Sequence, residues 1–437
     1  MSTAKAKTPL APTHSAPVRP FEFGLAIIWF LVTFNTFRND HLVLYPLAIY
    51  FSYATFRDRR ATFPLIIGAW PLFLLPLWAL ASSPLGVEPD VAFRSGLQML
   101  LTSLICVLFA AWMSPRQVLI AAFIATGICG ILSVFFTKIH DGAMTGIFAH
   151  KNMLGAKMVV LWAAALCLAC DRWVRPWLRL VAVALAALAF LLILASHSAT
   201  ALVLSFTVVC IIGAFSFFSR SADRIAAGLI VLGAMASLAP FLIEEREHLL
   251  ELFLGSVGKS KTLTGRTELW NYAEDVIRQN PIIGQGAGGF WRYQESPLVQ
   301  EIFAEFHKSP NQVFSFHNAY YEITVHFGLI GLGCILVTLA WALTHLAFLV
   351  FRRGGMPFVF LLTGALVQTV RTMVESDLMR PFVLANMLIW IGACYAIKNR
   401  NPIFLPERVV RHGIQRRTGG SGAVPDAAQR TASTGAE

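Results

Sequence analysis

Uninterrupted apolar segments about as long as a bilayer is thick recur along almost the whole of this 437-residue chain. A helix needs about 20 apolar residues to cross the hydrocarbon core. Since no water is present there to hydrogen-bond an open backbone, each such segment must be helical. Charged residues make up only 14% of the chain, too few to cover the surface of a soluble protein of this size. The sequence therefore predicts an all-α polytopic membrane protein.

The apolar segments predict about 12 transmembrane helices and one large, partly helical polar loop. The candidate spans are 22–38, 41–56, 62–82, 95–113, 117–136, 153–170, 178–195, 199–218, 225–243, 320–350, 357–374 and 381–397. The second of these is short for a full span, and the tenth is long enough to tilt or to extend out of the bilayer. A count of ten or eleven follows if one short span is re-entrant.

The distribution of basic residues predicts the orientation of these spans. With the amino terminus in the cytoplasm, every cytoplasmic connection carries Arg or Lys, whereas the opposite side receives more acidic residues and the long loop 244–319. Cytoplasmic loops of membrane proteins are enriched in Lys and Arg. We therefore expect a bacterial inner-membrane protein with both termini in the cytoplasm and loop 244–319 in the periplasm. The net charge of +11 lies mainly in tails and short loops, which argues against nucleic-acid binding.

The sequence divides into one membrane domain and two polar tails. Residues 1–20 are polar and Pro-rich, and residues 398–437 begin with basic residues and end in a segment rich in Ala, Gly, Ser and Thr. Both are predicted to be cytoplasmic tails without a packed core. Residues 21–397 form the predicted membrane domain. All seven cysteines lie in or beside apolar segments, so we expect no disulfide, metal site or cofactor.

Polar residues gather in four clusters that the predicted orientation places on the outer side. Because ionisable groups at membrane depth are costly, they usually mark a pathway or a site. The clusters are Gly146–Asn152, Ser196–Thr200, Thr264–Gly284 and His317–Glu322. The third contains a predicted amphipathic helix, Arg266–Gln279, with Thr264 as its cap and Pro281 just after its end.

Each cluster also has an ordinary structural interpretation. His150 and Lys151 can anchor a helix at the interface, and the Ser196–Thr200 turn can cap one. Arg266 can pair with Glu268 or with a lipid phosphate, and His317 can be a hydrogen-bonded interfacial histidine.

Taken together, the four clusters favour chemistry on a diphosphate. A planar guanidinium binds phosphate oxygens through two parallel hydrogen bonds. A histidine nearby can take a proton from an attacking hydroxyl, because its pKa lies near neutrality. No pattern of acidic residues indicates a metal centre, so cationic side chains would offset the charge of the leaving diphosphate.

At these clusters the sequence resembles the superfamily of O-antigen ligases and Wzy-type polysaccharide polymerases, and most of all its exopolysaccharide-polymerase branch. The resemblance spans roughly residues 20–400 and depends on the order, spacing and sequence of four motifs and on the large outer loop. The motifs are Gly146-Ile-Phe-Ala-His-Lys-Asn152, Gly265-Arg-Thr-Glu-Leu-Trp270, Asn280-Pro-Ile-Ile-Gly-Gln-Gly286 and His317-Asn-Ala-Tyr320.

The resemblance implies a metal-independent, inverting membrane glycosyltransferase of the C type. Its donor would be a glycan on undecaprenyl diphosphate, and its partners would include membrane lipids and other polysaccharide export or assembly proteins. The acceptor would be another lipid-linked repeat unit in a polymerase, or lipid A-core in a ligase. By similarity, Arg266 would bind the diphosphate and His317 would orient or deprotonate the acceptor hydroxyl. Further substrate contacts would come from His150, Lys151, Asn152, Ser196, His197, Ser198, Asn318, Tyr320, Arg371 and Glu375.

The sequence departs from the ligase pattern at one position. Ligases often carry an arginine in the turn after the seventh span, where this chain has Ala199. Lys151, His197 or Arg371 can substitute for it, and the departure favours a polymerase over a ligase. Arg371 and Glu375, one helical turn apart, are expected to pair near the outer end of the eleventh span.

Two other classes of protein compete with this interpretation. A transporter or flippase of lipid-linked sugars would carry charges deep within several helices and two repeated halves. Here the predicted helices are mostly uncharged, with Lys157 as the main exception, and no repeat is evident. A non-catalytic scaffold would leave Arg266 and His317 without a role.

Overall fold

The computed structural model of the protein describes residues 19–217, except for residues 36, 38 and 141, and residues 264–398. Most of the described chain is helical. The helices are α1 (Pro20–Phe34), α2 (His41–Arg57), α3 (Arg59–Gly68), α4 (Leu74–Ser82), α5 (Pro89–Trp112), α6 (Pro115–Phe135), α7 (Lys151–Cys170), α8 (Pro176–Ala195), α9 (Ala199–Phe217), α10 (Thr264–Gln279), α11 (Pro297–Glu305), α12 (Ala319–Arg353), α13 (Met356–Arg371) and α14 (Leu384–Lys398). Short 3-10 segments lie at Trp70–Phe73 and Ser83–Leu85, and the strands Ile139–His140 and Ala143–Met144 form an antiparallel pair.

Six of the described helices are long and apolar enough to cross a membrane, namely α5, α6, α7, α8, α9 and α12. Helices α3 and α4 together can supply a seventh span, and α1, α13 and α14 are shorter apolar helices. These lengths agree with a polytopic membrane protein. The predicted count of about 12 spans is not confirmed, and the predicted span 225–243 lies outside the described residues.

The predicted span 62–82 is not one straight helix. Helix α3 ends at Gly68, and the chain bends by 85° before it continues through Trp70–Phe73 into α4. Proline at position 71 has no amide hydrogen, so a regular helix cannot continue through it without losing a bond. The Pro71 carbonyl instead accepts a 2.7 Å hydrogen bond from the Thr338 hydroxyl of α12. The break is therefore satisfied within the protein, as an interrupted helix at membrane depth requires.

Helix α12 is also interrupted, although the sequence predicted one long span there. Gly328 has φ +65°, outside the helical region, so the helix is kinked at this residue. The segment that follows α10 docks against the kink: Gln285 N donates to the Val325 carbonyl (2.9 Å) and Gly286 N donates to the His326 carbonyl (2.8 Å). The described part of the polar loop is therefore fixed to α12 by backbone hydrogen bonds.

Helix α10 confirms the predicted amphipathic helix and its end at Gln279. It begins at Thr264, two residues before the predicted start, so Thr264 belongs to the first turn instead of preceding it. Its apolar face packs into a buried cluster shared with α11 and the start of α12, formed by Leu269, Ala273, Val276, Phe290, Val299, Ile302, Phe303, Phe316 and Val325. This small core attaches the described part of the loop to α12.

Candidate active site

His317 lies between α11 and α12 in a segment that is held on both sides. The Phe316 carbonyl accepts a hydrogen bond from Trp270 Nε1 (2.9 Å), and Asn318 N donates to the Ser376 hydroxyl (3.1 Å). His317 itself has φ +50°, a left-handed conformation that is uncommon for residues other than glycine. Such strain persists only where the surroundings enforce it, and it concentrates at functional sites.

The imidazole of His317 is mostly enclosed, and its ring lies 5.8 Å from that of Phe314. Its Nδ1 is buried, with no hydrogen-bond partner among the described residues. Burial and, next, the positive charge of Arg266 lower the pKa of His317 to about 4. The ring is therefore neutral at pH 7 and can accept a proton.

Arg266 is partly buried in the first turn of α10. Burial lowers the pKa of Arg266, and the negative charge of Glu375 opposes this effect. Within the described residues no carboxylate forms an ion pair with Arg266, so the alternative pairing with Glu268 is not observed. The guanidinium of Arg266 thus has no ion-pair partner among the described residues. It lies close enough to His317 to affect the protonation of the imidazole.

Glu322 ends the fourth polar cluster, but no role was predicted for it. Its buried carboxylate accepts hydrogen bonds from Phe316 N (2.9 Å) and Trp291 Nε1 (2.8 Å), and it contacts His326 Nε2 at 3.3 Å. It therefore fixes the segment before His317 to the kinked end of α12. A carboxylate and a histidine four residues apart in an apolar helix were the signal that could have found it.

The first polar cluster reaches the same site through His150. The His150 Nδ1 accepts a 3.2 Å hydrogen bond from Met153 N and caps α7. His150 and His317 are close enough to interact electrostatically, and burial lowers the pKa of His150. The next two residues after His150 differ in exposure, since Lys151 is half-buried and Asn152 is exposed.

The second cluster packs against the first. A Cβ atom added at Gly155 of α7 would lie 2.8 Å from the Ser196 hydroxyl, so the two backbones approach closely. Ser196 and Ser198 are buried, and their hydroxyls bond backbone groups of their own turn. His197 and Ala199 are exposed, and His197 has φ +49°. The serines thus shape the turn, whereas only His197 offers an exposed ionisable group there.

Arg371 and Glu375 are one turn apart as expected, since Glu375 N donates a 2.8 Å hydrogen bond to the Arg371 carbonyl just past the end of α13. Their side chains interact electrostatically but form no ion pair among the described residues. The guanidinium of Arg371 instead bonds Gln368 (2.8 Å) and Asp377 (3.3 Å). Burial raises the pKa of Glu375, against the positive charges of Arg371 and Arg266. Lys157 of α7 interacts electrostatically with both Arg371 and Asp377.

Asn318 and Tyr320 have structural contacts. The Asn318 side-chain oxygen caps α12 by accepting hydrogen bonds from Tyr320 N (2.9 Å) and Tyr321 N (3.3 Å). The Tyr320 hydroxyl accepts a hydrogen bond from Thr372 (3.0 Å). These contacts connect the start of α12 with the end of α13, and roles for both residues in substrate binding stay predictions.

A small apolar cleft of about 20 Å³ lies between α7, α9, α13 and α14. We refer to it as the α7–α13 cleft. Arg371 and Gln368 supply its polar edge, and the remaining lining residues are Ala156, Val159, Val160, Ala163, Val208, Phe360, Gly364, Val367, Ala385 and Leu388.

Known proteins resemble this chain over the part that carries Arg266 and His317. The family model described as O-antigen ligase matches residues 182–336, a range that includes both Arg266 and His317. The chain is also similar to the exopolysaccharide production protein ExoQ of Rhizobium meliloti (strain 1021). The two are 29% identical over 340 residues, which cover 74% of this chain and 75% of the relative. These matches confirm the resemblance to the superfamily of O-antigen ligases and polysaccharide polymerases.

Proposed function

We propose that the protein is an integral membrane polysaccharide polymerase that joins undecaprenyl-diphosphate-linked repeat units during exopolysaccharide biosynthesis. The reaction would take place at the periplasmic face of the bacterial inner membrane, with both termini in the cytoplasm. The observation that carries the proposal is the proximity of Arg266 to the neutral, strained His317. The similarity to an exopolysaccharide production protein supports the choice of a polymerase.

Arg266 would bind the donor diphosphate. Its guanidinium is partly buried and has no carboxylate partner among the described residues, so a phosphate can take up its hydrogen bonds. In a poorly hydrated site such a charge stabilises the leaving diphosphate more strongly than it would in water. Lys157 and Arg371 add positive charge on the α7 side of the site, where Asp377 offsets part of it.

His317 would act as the base. It would take the proton from an acceptor hydroxyl as the oxygen attacks the anomeric carbon of the donor sugar and the bond to the diphosphate breaks. The charge of the bound diphosphate would oppose the effect of Arg266 and raise the pKa of His317 towards the working pH. The acceptor attacks opposite the leaving group, so the configuration would invert, and the proposed class is a metal-independent C-type glycosyltransferase.

The lipid part of the donor requires an apolar surface next to the cationic groups. The α7–α13 cleft offers one, because its walls are aliphatic and its edge carries Arg371. A polyprenyl chain packed along these aliphatic side chains would bring its diphosphate to Arg371, whose charge also acts on the carboxylate of Glu375 together with that of Arg266. Membrane lipids and other export or assembly proteins would be the further partners.

An O-antigen ligase is the second candidate, because the matching family model carries that description. The site chemistry would be the same, with lipid A-core as the acceptor. The two functions therefore differ in their products.

Reconstitution of the full-length protein in liposomes with one lipid-linked repeat unit tests the proposal. A ladder of longer lipid-linked glycans is the expected product, and it should be absent with His317→Ala protein at equal density. Product that forms only after addition of lipid A-core would indicate a ligase. Movement of the substrate across the bilayer without any new glycosidic bond would indicate a flippase and overturn the proposal.

A further inference from the structure

Glu322 and His326 form a buried pair on α12, just before the kink at Gly328. Both ring nitrogens of His326 face acceptors: Nδ1 lies 3.0 Å from the Gly286 carbonyl, and Nε2 lies 3.3 Å from Glu322 Oε1. A neutral imidazole donates from only one nitrogen, so the two hydrogen bonds form together only when the ring carries both protons. The geometry is therefore that of an imidazolium paired with a carboxylate.

The carboxylate of Glu322 accepts hydrogen bonds from three different segments of the chain. Besides His326 of α12, Phe316 N donates to Oε2 (2.9 Å) and Trp291 Nε1 donates to Oε1 (2.8 Å). An ionised carboxylate only accepts hydrogen bonds, and this set of donors matches that form. The negative charge is thus held in a fixed position beside the residue that precedes His317.

The imidazole of His317 responds to this carboxylate. Within the described residues, the charged groups that act on it come from four segments: Arg266 of α10, Lys308 after α11, His150 before α7 and Glu322 of α12. Burial and the three basic groups lower the pKa of His317, whereas the negative charge of Glu322 raises it. Glu322 therefore favours the protonated form of a base whose other charged neighbours oppose it.

We propose that Glu322 is a positioning residue for the base: it holds the segment before His317 and stabilises the imidazolium that forms when His317 takes the proton of the acceptor hydroxyl. Its oxygens are already bonded to protein donors, so it acts on the reaction through His317 and not by contact with substrate. His326 completes the arrangement, because a buried carboxylate without a counter-charge is costly. The inference rests on the proposed function, in which His317 is the base.

The pH dependence of transfer tests this role. Glu322→Gln keeps the shape of the side chain and removes its charge, so the imidazolium of His317 becomes less stable and its pKa falls. The base form then persists to lower pH, and the acid limb of the kcat profile should move down by about one pH unit. A weaker base also lowers the plateau, so kcat should fall about tenfold while KM stays unchanged.

Further variants separate the charge from the fold. Glu322→Asp keeps the charge and should keep the acid limb close to that of the unmodified protein, even where kcat falls. The double variant, Glu322→Gln with His326→Gln, leaves no unpaired charge in the buried pair and should show the downward shift even if the single variant is unstable. Glu274→Gln is the matched control: it removes a carboxylate and a 2.8 Å hydrogen bond from Tyr321 in the same packed unit, and the acid limb should not move.

A measurement without turnover keeps this test apart from the proposed function. In the substrate-free protein, an NMR titration gives the pKa of the His317 imidazole directly, and His317→Gln identifies the signal by its absence. The midpoint should lie lower in Glu322→Gln than in the unmodified protein, whether or not the protein joins repeat units. An unmoved midpoint, an unmoved acid limb, or a rise in KM in place of the fall in kcat would each overturn the inference.

Discussion

The indole of Trp270 donates a 2.9 Å hydrogen bond to the carbonyl of Phe316, which connects the helix carrying Arg266 directly to the residue before His317. The same indole stacks on Tyr321 with ring centroids 5.6 Å apart. The two residues assigned to the diphosphate and to the base therefore belong to one packed unit, although 51 positions separate them in sequence.

Trp270→Phe should keep the stacking on Tyr321 and remove only the hydrogen bond. Loss of this hydrogen bond should destabilise the contact between α10 and Phe316 by about 1 kcal/mol, a factor of roughly five in its equilibrium constant. A displaced His317 would lower the rate of chain growth further. We expect an initial rate about tenfold lower, measured with lipid-linked repeat units in liposomes. The control is Trp173→Phe, at an exposed residue outside the site; an unchanged rate in Trp270→Phe would show that the link is dispensable.

Arg266→Lys should impair activity almost as much as Arg266→Ala. A lysine retains the charge but not the paired donors of the guanidinium, and loss of one such stabilising group typically costs about 100-fold in rate. Arg278→Lys is the matched control on the same helix, because Arg278 is exposed and its ion-pair partners among the described residues are carboxylates of α10. Full activity in the Arg266→Lys protein would exclude bidentate binding of the diphosphate.

His317→Ala should lower the rate of transfer by at least about 100-fold, the usual contribution of a general base. His307→Ala is a matched control, since His307 lies in the same loop, is exposed and also has a positive φ of 51°. Both variants should insert and purify like the unmodified protein. Polymer of normal length and yield from His317→Ala would remove this residue from the mechanism.

The lowered pKa of His317 also predicts a dependence of stability on pH. The ordinary pKa is about 6.5, and in the folded protein it is about 4. Between these values the unfolded chain binds a proton that the folded protein does not, so stability falls as the pH drops from 6.5 to 4. The thermal midpoint of His317→Gln protein should fall less over this window, and equal slopes for both proteins would contradict the assignment.

Gly328→Ala should destabilise the protein. A side chain at this left-handed position would be strained, and it would clash with the backbone of the segment after α10. Gly333→Ala, on the same helix, meets no atom within 4 Å and should leave the melting temperature unchanged or raise it slightly. A Gly328→Ala protein as stable as Gly333→Ala would show that the segment is not docked at the kink.

The features that the sequence predicted correctly are those that depend on the local pattern of residues. Hydrophobic length placed most of the described helices within a few residues, and helix-capping and proline rules gave the end of α10 at Gln279. The motifs also indicated that Arg266 and His317 share a site, and the structure places them within electrostatic reach of each other.

What the sequence did not predict depends on contacts between distant segments. The break near Pro71 is satisfied by Thr338, which lies 267 positions away. Arg371 pairs with Asp377 and forms no ion pair with Glu375 among the described residues, although Glu375 lies one turn beyond it, and this choice of partner depends on how the segment after α13 packs. The role of Glu322 likewise depends on the distant Trp291 indole and on a backbone amide outside its own helix.

The contact between Gly284 and Gly328 has a consequence for how relatives of this protein can diverge. A Cβ atom at Gly284 would lie 2.6 Å from the backbone nitrogen of Gly328, so the main chains touch with no space for a methyl group. Neither position can change alone, and no substitution elsewhere in the two segments can create the missing space. We therefore expect both glycines to persist in relatives whose surrounding apolar residues have changed freely.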